Sequence, residues 1–232
     1  GGLGSNIAVA LARCGVGNLY LADFDRVELS NLNRQYYTVD DIGSLKTDAI
    51  KRILSKINPF CKVHTYPVRV TPDNALTLFK DCPIVCEAFD VPEAKAMLVD
   101  TILSYSKDKY IVASSGMAGF GKANDIHTRR VSNRFYLCGD EKTDLNVGDG
   151  LTASRVIICA GHQATKVLEL IMDTKDVNTA KNVWKWNAGG LGFSSTGYKG
   201  TYGLAMTNNG AIVADRMTTG TLRAIEIVGV SI

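Results

Sequence analysis

A glycine turn and an acidic side chain behind a strand are the first residues whose types and spacing could do chemistry. Gly1, Gly2 and Gly4 allow the backbone to approach a phosphate closely. Unpaired backbone amides at the start of the next helix would then stabilise the negative charge of that phosphate. Asp23 follows about 20 residues later, the spacing at which an acidic side chain reaches the ribose of a nucleotide. The glycines alone would fit an ordinary strand-to-helix turn equally well. With Asp23 they predict a nucleotide site.

Two cations further along favour a triphosphate over a redox dinucleotide. Arg34 lies in the segment Asn31-Leu32-Asn33-Arg34-Gln35, and Lys46 follows it. A guanidinium fork can hold phosphate oxygens, whereas a lysine ammonium acts as a point charge on them. The alternative is that both side chains are solvated surface charges.

The apolar pattern alternates between strands and helices. Predicted strands cover residues 18–23, 62–70, 83–89 and 110–114. Residues 83–89 are almost continuously apolar, as in a buried parallel strand. This order predicts a doubly wound, Rossmann-like α/β fold with a mostly parallel sheet. Because the sequence opens inside the glycine turn, we expect its first strand to be truncated.

Asp90 follows the predicted strand of residues 83–89, where open α/β sheets place their ligand groups. The alternative role is a helix N-cap, because Pro92 favours the start of a helix. The two roles are compatible.

These motifs together resemble the ThiF/MoeB/HesA family, the bacterial relatives of ubiquitin-activating enzymes. The resemblance runs from Gly1 to about Met172 and is most specific in the segment 31–35. It implies ATP-dependent adenylation of the C-terminal glycine of a ubiquitin-like sulfur-carrier protein ending in Gly-Gly. Segments 87–90 and 113–121 are most similar to the short ThiF-like branch, which is linked to thiamine biosynthesis.

The resemblance also implies roles for individual residues. Asp23 is expected to hold the ribose hydroxyls, and Asp90 to hold Mg²⁺. The residues implied to bind the nucleotide are Gly1, Gly2, Gly4, Asp23, Asn31, Arg34 and Lys46. Arg34, Lys46 and Asp90 would be the catalytic set. Relatives borrow an arginine from a partner subunit, so we expect a homodimer.

Six cysteines are present without paired C-x-x-C spacing. Many ThiF and MoeB relatives carry two such pairs, so no zinc is expected here. The thiols should be reduced, as in a cytoplasmic protein. Cys138, between a strand-like run and an acidic segment, is a candidate nucleophile if it is exposed. Nearby Asp140 and Glu141 would disfavour its thiolate.

Composition limits the remaining classes. A net charge of +3 is too small to indicate nucleic-acid binding. No apolar run reaches about 18 residues, so no membrane span is expected. A hydrophobic fraction of 46% predicts a folded protein.

The character of the sequence changes after about residue 173. Residues 174–232 are rich in glycine, serine, threonine and aromatics, which predicts short strands joined by tight turns. The segment Asn208-Asn209-Gly210 predicts a hairpin. This irregular β-rich tail resembles segments of phage tail and minor structural proteins, and a fusion of unrelated reading frames would explain it. We therefore expect an adenylyltransferase domain over residues 1–173 and a separate tail over 174–232.

Two other functions remain open from the sequence. An NAD-dependent oxidoreductase would use the glycine turn and Asp23 but leaves Arg34, Lys46 and Asp90 without a role. A non-catalytic phage-related structural protein would carry the α/β part only as a fragment.

Overall fold

The computed structural model of the protein describes residues 1–143, 150–172 and 178–207. The chain divides into two compact units, Gly1–Ile171 and Met172–Ile232. The hairpin predicted at residues 208–210 lies outside the described residues.

The first unit alternates helices and strands, as the apolar pattern predicts. Its elements are α1 (Gly2–Arg13), β1 (Asn18–Ala22), α2 (Lys46–Ile57), β2 (Lys62–Tyr66), α3 (Pro72–Leu78), β3 (Ile84–Cys86), α4 (Pro92–Tyr105), β4 (Tyr110–Ser114), β5 (His127–Arg130), β6 (Phe135–Gly139) and α5 (Ala153–Ile171). Short 3₁₀ turns cover Leu29–Asn31, Val39–Asp41 and Ala123–Asp125. The strand predicted over residues 62–70 ends at Tyr66, because Pro67 has no amide hydrogen to donate.

The strands pair mostly in parallel. β1 pairs with β2, and a second group has the order β3-β4-β6-β5. The β3–β4 and β4–β6 pairs are parallel, whereas β5 runs antiparallel to β6 at the edge. The prediction of a doubly wound, mostly parallel sheet is therefore confirmed.

Both faces of the sheet are covered. Successive side chains of a strand point to opposite faces, and in β4 Ile111 and Val112 belong to different apolar clusters. Val112 joins Leu54 of α2 and Val156 of α5, whereas Ile111 joins Ile102 of α4. Each of these side chains is almost completely buried. The alternation along β4 thus separates the core into two layers.

Local signals explain where the helices begin and end. Thr71 is the N-cap of α3, and its amide donates to the side chain of Asn74 at 2.8 Å, before Pro72 opens the helix. After α1 the chain turns at Gly15, whose φ of +84° favours glycine.

The second unit contains a three-stranded antiparallel sheet in its described part. Its strands are β7 (Val183–Asn187), β8 (Gly190–Ser194) and β9 (Gly203–Thr207). Gly190 has a φ of +118°, and a Cβ atom there would lie 2.1 Å from the carbonyl oxygen of Met206. The prediction of short strands and tight turns is confirmed for these residues. The likeness to phage proteins and the fusion stay predictions.

The length and hydropathy of the helices can be compared with what a membrane span requires. None of the helices within the described ranges combines the length and apolar character needed to cross a bilayer.

The boundary predicted near residue 173 can be tested by truncation. We expect a chain ending at Asp173 to keep the thermal transition of the first unit, because α5 and both core layers are complete by Ile171. Scanning calorimetry measures the transition. A matched truncation after Cys159, which removes most of α5, should abolish cooperative unfolding. A transition lowered by more than about 4 °C on removal of the tail, equivalent to roughly 1–2 kcal/mol, would move the boundary.

Candidate nucleotide-binding cleft

A cleft of about 1290 Å³ opens in the first unit. The amino end of α1 and the segments that follow β1, β3 and β4 line it. These segments meet at the carboxyl edge of the sheet, where open α/β folds bind their ligands. Every site residue that the resemblance assigns to nucleotide or metal lines this cleft, and Cys138 does not.

The glycine turn forms the amino end of α1. Gly1 is the N-cap, and no described side chain caps the helix there. Its first amides are therefore available to an anion. A Cβ atom on Gly2 would lie 3.3 Å from Val156 Cγ1, and one on Gly4 would lie 3.5 Å from Ala88 Cβ. These glycines thus also allow α1 to pack closely against its neighbours.

Asp23 follows β1 and reaches the glycine turn. Its Oδ2 accepts a hydrogen bond from the Gly1 amino group at 3.0 Å, and its Oδ1 accepts one from the Asp25 amide at 3.0 Å. The carboxylate therefore lies at the start of α1, as its spacing predicts, while its ribose role stays a prediction.

Arg34 is half-buried and held by its own loop. Its Nη1 donates to Ser30 O at 2.9 Å and to Asn33 Oδ1 at 2.8 Å. The Asn31 side chain, which is buried, accepts from the Glu28 amide at 3.1 Å and so closes the 3₁₀ turn before Arg34. Asn31 thus shapes the loop that carries the guanidinium into the cleft.

Lys46 opens α2 and is buried, with 6% of its surface exposed. Its Nζ lies 2.8 Å from Oδ2 of Asp25, whose side chain is 47% exposed. The Lys46 amide also donates to the Asp25 carbonyl at 2.9 Å. The ammonium is therefore fixed at the cleft wall by an ion pair with its more exposed neighbour.

Asp90 is exposed at the cleft, between β3 and α4. The N-cap of α4 is Val91, so the alternative role of Asp90 as the helix cap is wrong. Its side chain makes no hydrogen bond or ion pair with any residue in the described ranges. No group of three or more histidine, cysteine or acidic side chains in that part of the chain could hold a metal ion. A cation at Asp90 would therefore need other ligands, such as phosphate oxygens and water.

Cys138 lies in β6 and is fully buried. Thr128 Oγ1 lies 3.5 Å from its Sγ, and burial raises the pKa of the thiol. The expectation of an exposed nucleophile is therefore wrong. The condition of exposure is not met, because α5 packs against β6 here and β5 pairs with β6 at this position.

A buried arginine fixes one wall of the cleft. Arg155 of α5 donates to the carbonyls of Met117 at 3.4 Å and Lys122 at 3.0 Å, and also contacts that of Gly121. Its other nitrogen forms a close ion pair with Asp140, and both side chains are nearly inaccessible. One guanidinium thus holds the segment after β4 against the end of β6.

Asp140 also orders the chain that follows it. Its Oδ1 accepts hydrogen bonds from the amides of Lys142 and Thr143, both at 2.9 Å. Gly116, with a φ of +77°, lies so close that a Cβ atom there would be 2.1 Å from Asp140 Oδ1. Only glycine fits this approach.

Three residues that hold the cleft together were missed from the sequence. Asn6 Nδ2 donates to Gly2 O at 2.7 Å and Arg34 O at 3.0 Å, and so joins the glycine turn to the arginine loop. Asp25 pairs with Lys46, and Arg155 pairs with Asp140. The available signals were the Asp23-Phe24-Asp25 step and a cation in the apolar stretch that forms α5.

Fold and cleft define a doubly wound, Rossmann-like α/β protein with its site at the carboxyl edge of the sheet. The ThiF family model matches residues 1–197, so the chain belongs to the ThiF family. The match extends past residue 173, and the domain boundary there stays a prediction.

Curated relatives match part of the chain. The adenylyltransferase and sulfurtransferase UBA4 of Candida glabrata is 36% identical over 132 residues, which cover 56% of this chain and 30% of that protein. The sulfur carrier protein adenylyltransferase of Thermus thermophilus is 41% identical over 91 residues, covering 39% of this chain and 34% of that protein. This chain thus spans about a third of the length of these relatives.

Solved structures share the fold. The E. coli tRNA N6-threonylcarbamoyladenosine dehydratase TcdA in complex with AMP has a TM-score of 0.66 and 23% identity, over 74% of this chain and 82% of that chain. E. coli MccB with ATP has a TM-score of 0.56 and 21% identity, over 85% and 61%. At these identities the likeness establishes the fold alone.

The pairing of Asp140 predicts an acid-sensitive contribution to stability. Burial alone would raise the pKa of Asp140, but hydrogen bonds from Thr143 and Lys142 and the Arg155 charge outweigh it and hold the pKa below 3.8. A lowered carboxyl pKa stabilises the fold above the unfolded-state pKa, and this contribution is lost as the pH falls through the folded-state pKa. We expect Asp140→Asn to cost about 3–5 kcal/mol at pH 7.

Denaturant unfolding from pH 7 to pH 2 measures this difference. The difference in the free energy of unfolding between wild type and Asp140→Asn should decrease below about pH 4, because a protonated carboxyl group resembles an amide. Exposed Asp125, whose side chain has no hydrogen bond or ion pair with a described residue, gives the matched control Asp125→Asn, with an expected change within about 0.5 kcal/mol. A difference that stays constant down to pH 2 would contradict the prediction.

Proposed function

We propose that the protein uses ATP to adenylate the C-terminal carboxylate of a ubiquitin-like sulfur-carrier protein ending in Gly-Gly. The observation that carries this proposal is the meeting of four features in one cleft. They are the start of α1, which no described side chain caps, Arg34, Lys46, and Asp90, which has no side-chain partner among the described residues. Membership of the ThiF family supports it. Two relatives support it further, since one is named an adenylyltransferase and sulfurtransferase and the other a sulfur carrier protein adenylyltransferase.

The reaction needs alignment and charge neutralisation more than proton transfer. The carrier carboxylate attacks the α-phosphorus of ATP, a carboxylate oxygen to phosphorus bond forms, and the bond to the β-phosphate oxygen breaks to release pyrophosphate. A carboxylate is already a nucleophile, so no general base is required. The α1 amides and Arg34 would bind phosphate oxygens, and Lys46 would meet the negative charge as a point charge.

Asp90 fits a magnesium ion held mainly by the nucleotide. Mg²⁺ in phosphoryl-transfer sites takes one or two protein carboxylates and completes its shell with phosphate oxygens and water. An exposed carboxylate that has no side-chain partner in the described part of the chain is suited to that arrangement. When bound, the ion would neutralise charge on the triphosphate.

The finer parts of the proposal are the pathway and the assembly. We place the protein in thiamine biosynthesis because segments 87–90 and 113–121 resemble the short ThiF-like branch, although the relatives' names do not mention thiamine. We further propose a cytoplasmic homodimer, and the six free thiols are compatible with that compartment.

Family membership favours adenylation over the two alternatives. An NAD-dependent oxidoreductase would leave Arg34, Lys46 and Asp90 unused. A purely structural phage-related role would leave the whole cleft unused.

Pyrophosphate exchange tests the proposal directly. We expect radiolabelled pyrophosphate to enter ATP only when Mg²⁺ and a carrier ending in Gly-Gly are both present, because the acyl adenylate forms reversibly. A panel of such carriers, with that of thiamine biosynthesis among them, identifies the partner. Exchange that persists without any carrier, or NADH binding in place of ATP, would overturn the assignment.

Asp90→Asn tests the role of the carboxylate. We expect the exchange rate to fall by about 100-fold or more while the thermal transition is unchanged, because an amide is a poor ligand for a hard cation. Asp100 lies exposed on α4 and does not line the cleft, so Asp100→Asn is the matched control and should retain exchange within about twofold. Normal exchange by Asp90→Asn would exclude the metal role.

A further inference from the structure

Glu87 is a charged side chain that the proposed reaction does not use, and it is completely buried. It directly follows β3 at the carboxyl edge of the sheet. Its Oε1 accepts from the Phe89 amide at 2.6 Å and from Lys95 Nζ at 3.0 Å. Its Oε2 accepts from Lys95 Nζ at 3.2 Å and from the Ser114 amide at 3.3 Å. One carboxylate thus joins the loop after β3, the end of β4 and helix α4.

Lys95 completes this junction from the second turn of α4. Besides Glu87, its Nζ donates to Ser114 Oγ at 3.1 Å, and 22% of its side chain is exposed to the cleft that it lines. From the other layer, buried Gln163 donates to the carbonyls of Glu87 at 3.0 Å and Val112 at 3.1 Å. The backbone of Glu87 is therefore held by α5 while its carboxylate is held by α4.

The sheet itself does not need this carboxylate. The Glu87 amide already continues the β3–β4 pairing by donating to Val112 O at 3.0 Å. The carboxylate adds a hydrogen bond from the Phe89 amide, which lies one residue before Asp90. Because Asp90 has no side-chain partner among the described residues, its position depends on the path of this backbone.

We propose that Glu87 and Lys95 form a positioning pair that fixes the direction from which Asp90 enters the cleft. Lys95 also neutralises the negative charge of Glu87. Asp90 is then the carboxylate of this loop that can bind a magnesium–nucleotide complex. This inference rests on the proposed function and extends it to two residues that touch neither the nucleotide nor the metal.

Calorimetric titration of the protein with ATP, with and without MgCl₂, tests the pair. In the wild type we expect Mg²⁺ to tighten ATP binding. Asp90→Asn and Glu87→Gln should each lose about tenfold of that tightening, the range found when groups that orient a metal ligand are removed. Affinity for ATP without Mg²⁺ should not weaken in either variant, because each substitution removes a negative charge and, on the proposed roles, no contact to a phosphate.

The double variant Glu87→Gln/Asp90→Asn separates positioning from a general structural role. If Glu87 acts through Asp90, the double variant should bind no more weakly than Asp90→Asn alone. Lys109 gives the matched control: it is buried at the amino end of β4, where its Nζ donates to the carbonyls of Lys80 at 2.8 Å and Cys82 at 2.7 Å. Lys109→Met should lower stability yet keep the full effect of Mg²⁺.

Hydrogen exchange gives a readout that does not depend on nucleotide. Glu87→Gln and Lys95→Met should each accelerate exchange of the Phe89 amide and leave the amide of Ile102 in the core of α4 protected. If Glu87→Gln does not fold, the double variant Glu87→Gln/Lys95→Met carries the same comparisons, because it removes both charges and leaves no buried charge unpaired.

The outcomes distinguish this inference from the proposed function. A wild type that binds no ATP would overturn the proposed function and, with it, the role in nucleotide binding. If Asp90→Asn loses the Mg²⁺ effect while Glu87→Gln and Lys95→Met keep it, the proposed function stands and the positioning role is wrong. Additive losses in the double variant, or unchanged exchange at Phe89, would also overturn the pair.

Discussion

The burial of charge at the carboxyl edge of the sheet is the constraint on which the rest of the cleft depends. In the part of the chain that the structure describes, the charged side chains buried there are Lys46, Glu87, Asp140 and Arg155. A buried charge without a partner would be strongly destabilising. The resulting pairs are Lys46–Asp25, Glu87–Lys95 and Arg155–Asp140. Each pair joins two different elements: α2 to the loop after β1, β3 to α4, and α5 to the end of β6. The same contacts that satisfy the charges therefore set the spacing of the cleft walls.

The fold was predictable from the sequence because it follows from local periodicity. Strand β4 shows why: the strand predicted over residues 110–114 forms there, and its side-chain alternation places Ile111 and Val112 in different core layers. The positions of Arg34, Lys46 and Asp90 at the cleft could also be predicted from the sequence, since motifs that follow parallel strands converge on one edge of the sheet. Their chemical roles could not be predicted in this way, because a role depends on partners that spacing alone does not identify.

What sequence reasoning missed depended on contacts between distant segments. Cys138 was a candidate nucleophile on the condition of exposure, with Asp140 expected to disfavour its thiolate. Instead, Arg155 pairs with the Asp140 carboxylate across 15 residues, and burial raises the pKa of the thiol. Glu87 was visible only as part of a motif. The structural role of Glu87 depends on its contacts with Lys95 and Ser114, and Ser114 lies 27 residues away in the sequence. Only the folded chain brings these partners together.

Lys46 has a consequence for how the cleft meets an anion. Its ammonium loses its hydration when the chain folds, because its side chain is 7% exposed while that of Asp25 is 47% exposed. A phosphate that binds Lys46, as proposed above, would meet a cation that is already largely dehydrated, and would replace a carboxylate that can return to solvent. The cost of dehydrating the lysine would then belong to folding and not to ligand binding. Asp25 would act as an internal competitor, because an anion would have to bind Lys46 better than this carboxylate does.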